Sequence, residues 1–382
     1  MNELQDRPKI LRITTVSLSL EKLLTGQLLF MDENGYEIHT ASHGVFNHPN
    51  HNEVISLTRK LNPFIDIKGL LELISVIKEV KPQIVHTHTP KAGLLGMLAA
   101  KYCGVKVRMH TVGGLPLMEK GKILRNFLKI IERITYAAST HVYCNSFGLK
   151  DYIARKLYYS KKLKVVGNGT TNGINIKQFN PNAVGQEVVD WHKNELGIDK
   201  DDNVFLFVGR IVKDKGIIEL VESFESINQN HSNTKLVLVG HFEEDLDPLP
   251  HHIQEAIAFN SQIINVGYQH DVRPYIALSD ILIFPSYREG FPNVPLQAGA
   301  MRKALVLSDI NGCNEIVKDK ENGLLVPVKT RKELIEAMEL LITDKDFAEK
   351  LAHNAMKSIT ERYEQSVVWE ALLNEYNLAL KK

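Results

Sequence analysis

Cysteine is scarce in this sequence: Cys103, Cys144 and Cys313 lie far apart, each among apolar or small residues. A disulfide framework is excluded, no metal-ligand spacing appears and no metal site is expected, so a reducing compartment is the natural setting. An excess of one charge is also lacking. The formal net charge is +1, which excludes a protein that coats nucleic acid or another polyanion through its overall field. No apolar run approaches the roughly 20 residues that a spanning helix needs. The first residues, MNELQDRPKILRI, are charged and pass straight into a strand pattern, so no signal peptide is expected. The expected location is the cytoplasm, with attachment to the inner face of the cell membrane at most peripheral. What the chain does have is length, and 382 residues suffice for two domains with sizeable cores.

Strand and helix patterns alternate along it. Apolar runs predict strands at 10–16, 36–41, 83–87, 105–110, 141–145 and 163–166, with helices at 20–33 and 68–79 and a polar loop over 42–52. After a polar, Asn- and Gly-rich segment at 168–182, a second series predicts strands at 204–208, 235–239, 263–266, 281–284 and 304–307. Repeated βα units imply parallel doubly wound sheets. The expected domains are 1–182 and 183–364, two Rossmann-like halves facing across a cleft. A final amphipathic helix, with Val367, Val368, Leu372, Leu373 and Tyr376 on one face, starts at residue 365.

The stretch ILIFPSYREGFPNVPLQ, 281–297, organises the second half. A buried strand is stopped by Pro285, a polar turn carries Glu289 and Gly290, and a helix opens near Asn293. Asn293 is expected to cap it, with Pro295 tolerated in its first turn. Unpaired amides at a helix start suit a phosphate, and Glu289 above them is an acceptor for hydroxyls. Such a pairing asks for a sugar nucleotide. The alternative is an ordinary turn in a doubly wound domain.

EGFPNVPLQ resembles the signature of the retaining family 4 glycosyltransferases of GT-B fold, in which two glutamates stand eight positions apart. The resemblance covers essentially the whole chain. It implies that Glu289 binds donor-sugar hydroxyls, with Gly290, Phe291, Pro292 and Asn293 around it. The family's second Glu, which holds the ribose diol, is Gln297 here, an amide that still hydrogen-bonds a diol but without charge assistance. In VGRIVKDKGI, Gly209, Arg210 and Lys215 match the group that grips the donor diphosphate. Two cations there stabilise the charge that develops on the leaving phosphate with no metal or other cofactor. A solvated charge pair beside Asp214 and Glu219 is the alternative. Val266, Gly267 and Tyr268 resemble the base-binding loop, with uridine expected over guanosine. His110, taken as ending the strand KVRMHT, matches a histidine that contacts the donor sugar; a packed core histidine is the alternative. The glycine pair usual after the first strand is missing, and Ser17 and Ser19 stand in that loop. By the same resemblance the last helix crosses back to the first domain.

On the acceptor side, His86 and His88 in VHTHTPKAG are expected to point to opposite sheet faces, one of them toward the acceptor with Ser17, Gly113 and Gly114. Between Lys101 and Lys164 the only acids are Glu119, Glu132 and Asp151. A helix with Leu124, Phe127, Leu128, Ile131 and Ile134 on one stripe is flanked by Lys122, Arg125, Lys129 and Arg133, after an apolar hook at 115–118. Such an edge suits an anionic membrane surface, or else it is a core-facing helix with a basic back. The segment also looks like bacterial transferases that extend undecaprenyl diphosphate-linked sugars in capsule or O-antigen assembly. Asp245-Leu246-Asp247 reads as surface. The implied activity is transfer of a hexose or N-acetylhexosamine from a nucleotide sugar to a polyprenyl diphosphate-linked or glycan acceptor. The rivals are a nucleotide-sugar 2-epimerase of the same fold and a non-catalytic sugar-nucleotide-binding scaffold.

Overall fold

The computed structural model describes residues 7–58, 62–115, 122–243 and 247–381. These divide into two compact units, 1–173 with 365–382 and 174–364. In the first, chain order is β1 (Lys9–Val16), α1 (Ser17–Leu24), α2 (Gln27–Glu33), β2 (Glu37–His43), β3 (His51–Glu53), α3 (Pro63–Val80), β4 (Ile84–His88), α4 (Pro90–Tyr102), β5 (Val107–Val112), α5 (Lys122–Ala138), β6 (His141–Cys144), α6 (Phe147–Lys156) and β7 (Leu163–Val165). The second contains α7 (Gln186–Glu195), β8 (Asn203–Val208), α8 (Ile217–Asn230), β9 (Thr234–Val239), α9 (His251–Phe259), β10 (Ile263–Gly267), α10 (Arg273–Leu278), β11 (Ile281–Phe284), α11 (Asn293–Ala300), β12 (Ala304–Ser308), α12 (Cys313–Ile316), β13 (Leu324–Val326), α13 (Arg331–Thr343) and α14 (Lys345–Tyr363). The last helix, α15 (Gln365–Leu380), belongs to the first unit.

Both sheets are parallel, ordered β3-β2-β1-β4-β5-β6-β7 and β10-β9-β8-β11-β12-β13. Helices cover both faces, so central strands such as β8 and β11 bury nearly every residue and read as unbroken apolar runs. In each sheet the order of successive strands reverses once, between β1 and β4 and between β8 and β11. Ligands of doubly wound sheets bind outside the strand carboxyl ends at such switch points.

Several boundaries differ from expectation. The expected helix at 20–33 is two, broken at Gly26 with φ +77°, where a Cβ would collide with the Trp369 ring of α15. The polar loop expected over 42–52 runs into β3, whose His-Asn-Glu sequence carries no apolar signal. The chain leaves the first unit at residue 173 rather than 182, because Ile174 bridges to Glu364 while Ile176 and Phe179 pack on the second core. Helix α15 buries Leu372, Tyr376 and Ala379 in one cluster with Tyr36, Ile84, Met109 and Tyr143.

Candidate functional site

The second unit's switch point assembles two loops. After β8 the chain passes Gly209 and Arg210, makes a 3-10 turn at Lys213–Lys215 and enters α8 through Gly216, which is left-handed at φ +72°. After β11 it runs through Pro285 to Glu289 and into α11. Gly216 is pressed so closely on the Pro285 carbonyl that a Cβ would lie 2.2 Å from that oxygen. Tyr287 N donates to Asp214 O at 2.9 Å, and the Arg288 guanidinium meets Asp214 Oδ2 at 2.6 Å. The Tyr287 hydroxyl donates to both Glu219 oxygens at 2.8 Å, and burial together with that carboxylate pushes its pKa up.

This docking brings Lys215 Nζ within 2.5 Å of Glu289 Oε1, and both side chains are only 15% exposed. A salt bridge this shielded from water is screened far less than a surface pair. Arg210, five residues earlier in the same loop, is 42% exposed and pairs with Glu243 Oε2 at 2.6 Å. Across the loop, Asn311 Nδ2 donates to the carbonyls of Glu289 and Gly290 at 3.0 and 2.9 Å. A Cβ on neighbouring Gly312 would lie 2.6 Å from Gly290 O. Phe291 is buried against Tyr363, with ring centroids 5.3 Å apart. Asn311→Ala is expected to cost about 1–2 kcal/mol by leaving two carbonyls short of a donor, measured as a shift in urea midpoint.

Asn293 does not cap α11: Pro292 occupies the cap position, Asn293 is the first helical residue and no side chain caps the helix. Prolines at 292 and 295 remove two of the four orphan N–H groups of the first turn, leaving those of Asn293 and Val294. Gln297 is half-buried one turn further on, and its side-chain amide has no protein hydrogen bond among the described residues. Val266 and Gly267 end β10, and Tyr268 stands exposed beyond it with His241 and His270 edge-on to its ring at 6.1 and 5.2 Å. The loops after β10, β9, β8, β11 and β12 therefore follow one another along a single sheet edge. Of the Asp245–Asp247 stretch, 245 and 246 lie outside the described residues. Asp247 is not idle surface, since its Oδ2 accepts from Asp214 N at 2.8 Å.

In the first unit the expectations for the histidines need correction. His86 and His88 share one face of β4, with rings 4.4 Å apart. Side chains two residues apart along a strand point the same way, so opposite faces were never available to them. His86 bonds the Tyr376 hydroxyl at 2.6 Å and the Thr111 hydroxyl at 2.8 Å. His88 Nε2 accepts from Arg12, whose Nη2 lies 2.9 Å away. Arg12 itself is fully buried in β1 and donates to Gln27 Oε1 at 2.6 Å. Its position was not singled out in the sequence because its partners, Gln27 and His88, lie 15 and 76 residues away. Burial first, then neighbouring positive groups, holds the pKa of both histidines well below the ordinary range.

His110 is likewise not at a strand end, since β5 continues to Val112. Its Nδ1 lies 2.9 Å from the Thr87 hydroxyl and its ring rests on Gly93 of α4. Burial pushes its pKa down to about 4. Ser17 is half-buried at the start of α1, Gly113 is exposed and Gly114 has open space around it. The Gly113 carbonyl accepts from Asn145 at 2.9 Å. On α5, Leu124, Phe127, Ile130 and Ile134 are exposed, while Leu128 packs inward. Pro116, Leu117 and Met118 of the expected hook, and the Lys122 side chain, lie outside the description.

Two family models match the chain. Glycosyl transferases group 1 covers residues 189–358, and Glycosyltransferase Family 4 covers residues 28–171. The capsular polysaccharide biosynthesis glycosyltransferase CapM of Staphylococcus aureus is 32% identical over 387 residues, 98% of each chain. The chain belongs to the family 4 glycosyltransferases. It is an enzyme of GT-B fold. A second relative of this glycosyltransferase is the UDP-Gal:alpha-D-GlcNAc-diphosphoundecaprenol alpha-1,3-galactosyltransferase of Escherichia coli, 28% identical over 296 residues, 76% of this chain and 74% of that one. Among solved structures, Anabaena HepE in complex with UDP superposes with a TM-score of 0.79 at 16% identity, over 97% of this chain and 99% of that one. That last likeness concerns the fold of the transferase alone.

Proposed function

We propose that this glycosyltransferase moves a hexose or N-acetylhexosamine from a uridine-diphosphate sugar to a polyprenyl diphosphate-linked acceptor in surface polysaccharide assembly, with retention of configuration. The observation that carries the proposal is the Lys215–Glu289 pair at the second unit's switch point, with Arg210 beside it. Paired cations beside a hydroxyl-binding carboxylate match a sugar diphosphate. The relatives' printed acceptors and donor supply its lipid and uridine parts.

In the proposed step the anomeric C–O bond breaks and its electron pair goes to the diphosphate oxygen. Arg210 and Lys215 stabilise that charge, as preorganised donors do in other transfer reactions. The acceptor hydroxyl bonds to the same face of the anomeric carbon, and its proton goes to the departing phosphate oxygen. Glu289 holds the sugar hydroxyls, and Gln297 takes the ribose. No metal or cofactor is assigned a part. Incubation of a nucleotide-sugar panel with an undecaprenyl diphosphate-sugar acceptor, read by product mass and anomeric NMR, tests this. A new sugar nucleotide formed without acceptor would instead establish the epimerase, and inversion at the anomeric carbon would overturn the front-face step.

The exposed stripe on α5 supports peripheral binding to an anionic membrane. Phe127 and Ile130 are 52% and 54% exposed, and Lys129 and Arg133 lie along the same helix. No helix among the described residues is long and apolar enough to cross a membrane. Phe127→Ser with Ile130→Ser is expected to weaken sedimentation with phosphatidylglycerol vesicles about tenfold or more, given roughly 1.5–3 kcal/mol for each large apolar side chain buried.

A further inference from the structure

We infer that Glu243 is a positioning residue that holds Arg210 ready for the donor diphosphate, an inference that rests on the donor reading above. The loops after β8 and β9 are registered by their backbones. Ile211 N donates to His241 O at 2.9 Å, and Ile211 forms an isolated bridge with Phe242. On that frame Arg210 Nη1 donates to Glu243 Oε2 at 2.6 Å, while Glu243 Oε1 lies 3.3 Å from Nε2 of His241. Glu243 therefore engages one guanidinium nitrogen. Nε and Nη2 have no protein hydrogen bond among the described residues, and together they form the edge of the fork that meets two phosphate oxygens.

A long side chain fixed before the ligand arrives loses less rotamer freedom on binding. Among the described residues the carboxylate bonds Arg210 and His241 and no backbone amide, whereas the register of the two loops is set by backbone contacts of Ile211. Its pKa is drawn down first of all by the Arg210 hydrogen bond, which keeps it ionised as the partner of that cation. His241 also stands edge-on to Tyr268, which links this pair to the loop after β10.

The test compares inhibition by UDP and by UMP, which lacks the β-phosphate, for wild type, Glu243→Ala, Glu243→Gln, Arg210→Ala and the Arg210→Ala/Glu243→Ala double variant. Glu243→Ala is expected to narrow the preference for UDP over UMP about tenfold and to raise the donor KM more than it lowers kcat. Glu243→Gln still accepts from Nη1 and restores most of the preference. In the Arg210→Ala background the Glu243 substitution adds nothing. An unchanged UDP preference in Glu243→Ala, or an undiminished effect in the Arg210→Ala background, overturns the inference. A wild type that does not prefer UDP to UMP instead removes the donor reading beneath it.

Discussion

Lys215→Ala is expected to lower turnover about a hundredfold or more, with the donor KM changed much less. The loss follows from where charge appears. When the glycosidic bond parts, the diphosphate gains negative charge, and a fixed cation in a partly dehydrated site is worth more there than in the ground state. The Lys215 ammonium lies 2.5 Å from Glu289, with each side chain 15% exposed. Removing it withdraws the cation and also leaves the Glu289 carboxylate facing the leaving phosphate uncompensated. Glu289→Ala is expected to be of comparable size through loss of sugar orientation, because misplacing the reacting carbon by a fraction of an ångström is costly. Both are read as initial rates of nucleotide release with acceptor present. Turnover within about threefold of wild type in either variant would strip that side chain of its part.

The second large effect is acid lability of the first unit. His86, His88 and His110 are buried and held neutral, with folded pKa values below the ordinary 6.5, His110 at about 4. Below pH 6.5 the unfolded chain takes up three protons that the folded unit refuses, so stability present above that pH is lost as pH falls. The bonding shows why the proton is refused. Arg12 only donates, so His88 Nε2 must stay unprotonated to accept from it. Glu132 acts in the opposite sense. Burial raises its pKa to about 7, so between its unfolded value and pH 7 the folded unit holds one proton more. The depressed histidines outnumber Glu132, so near pH 5.5 the unfolded chain still binds more protons and stability falls as pH falls. Trp369 is in the first unit and Trp191 in the second, so urea unfolding of a Trp191→Phe variant, followed by tryptophan fluorescence, reports the first unit. A midpoint that does not move between pH 7 and 5 would contradict this account, and His110→Gln should make the pH dependence shallower, by roughly 1 kcal/mol per pH unit at its steepest.

Much of the second unit was legible in the sequence. The strand at 281–284 is as expected to the residue, because a short apolar run closed by Pro285 leaves little choice of ends. Arg210, Lys215 and Glu289 were singled out, and the structure sets them at neighbouring loops of one sheet edge. Glu243, Asn311 and Asp214 were not singled out as site residues. Acidic and amide side chains in polar loops look alike in sequence, and only their partners distinguish them. The misplaced histidines have two causes. Strand β5 runs two residues past His110, and boundaries of this kind are set by pairing with β4 and β6. The facing of His86 and His88 follows from strand periodicity and was available from the sequence once the two-residue repeat was applied.

By itself the sequence determined what acts over a few residues: the alternation of buried strands and helices, the turns that proline and glycine enforce, and the charged loops that follow strands. Tertiary structure alone decided which of those loops meet. Lys215 reaches Glu289 across 74 residues and Arg210 reaches Glu243 across 33. Those meetings depend on β8 lying between β9 and β11, an order fixed by the packing of whole strands and helices that no local pattern encodes.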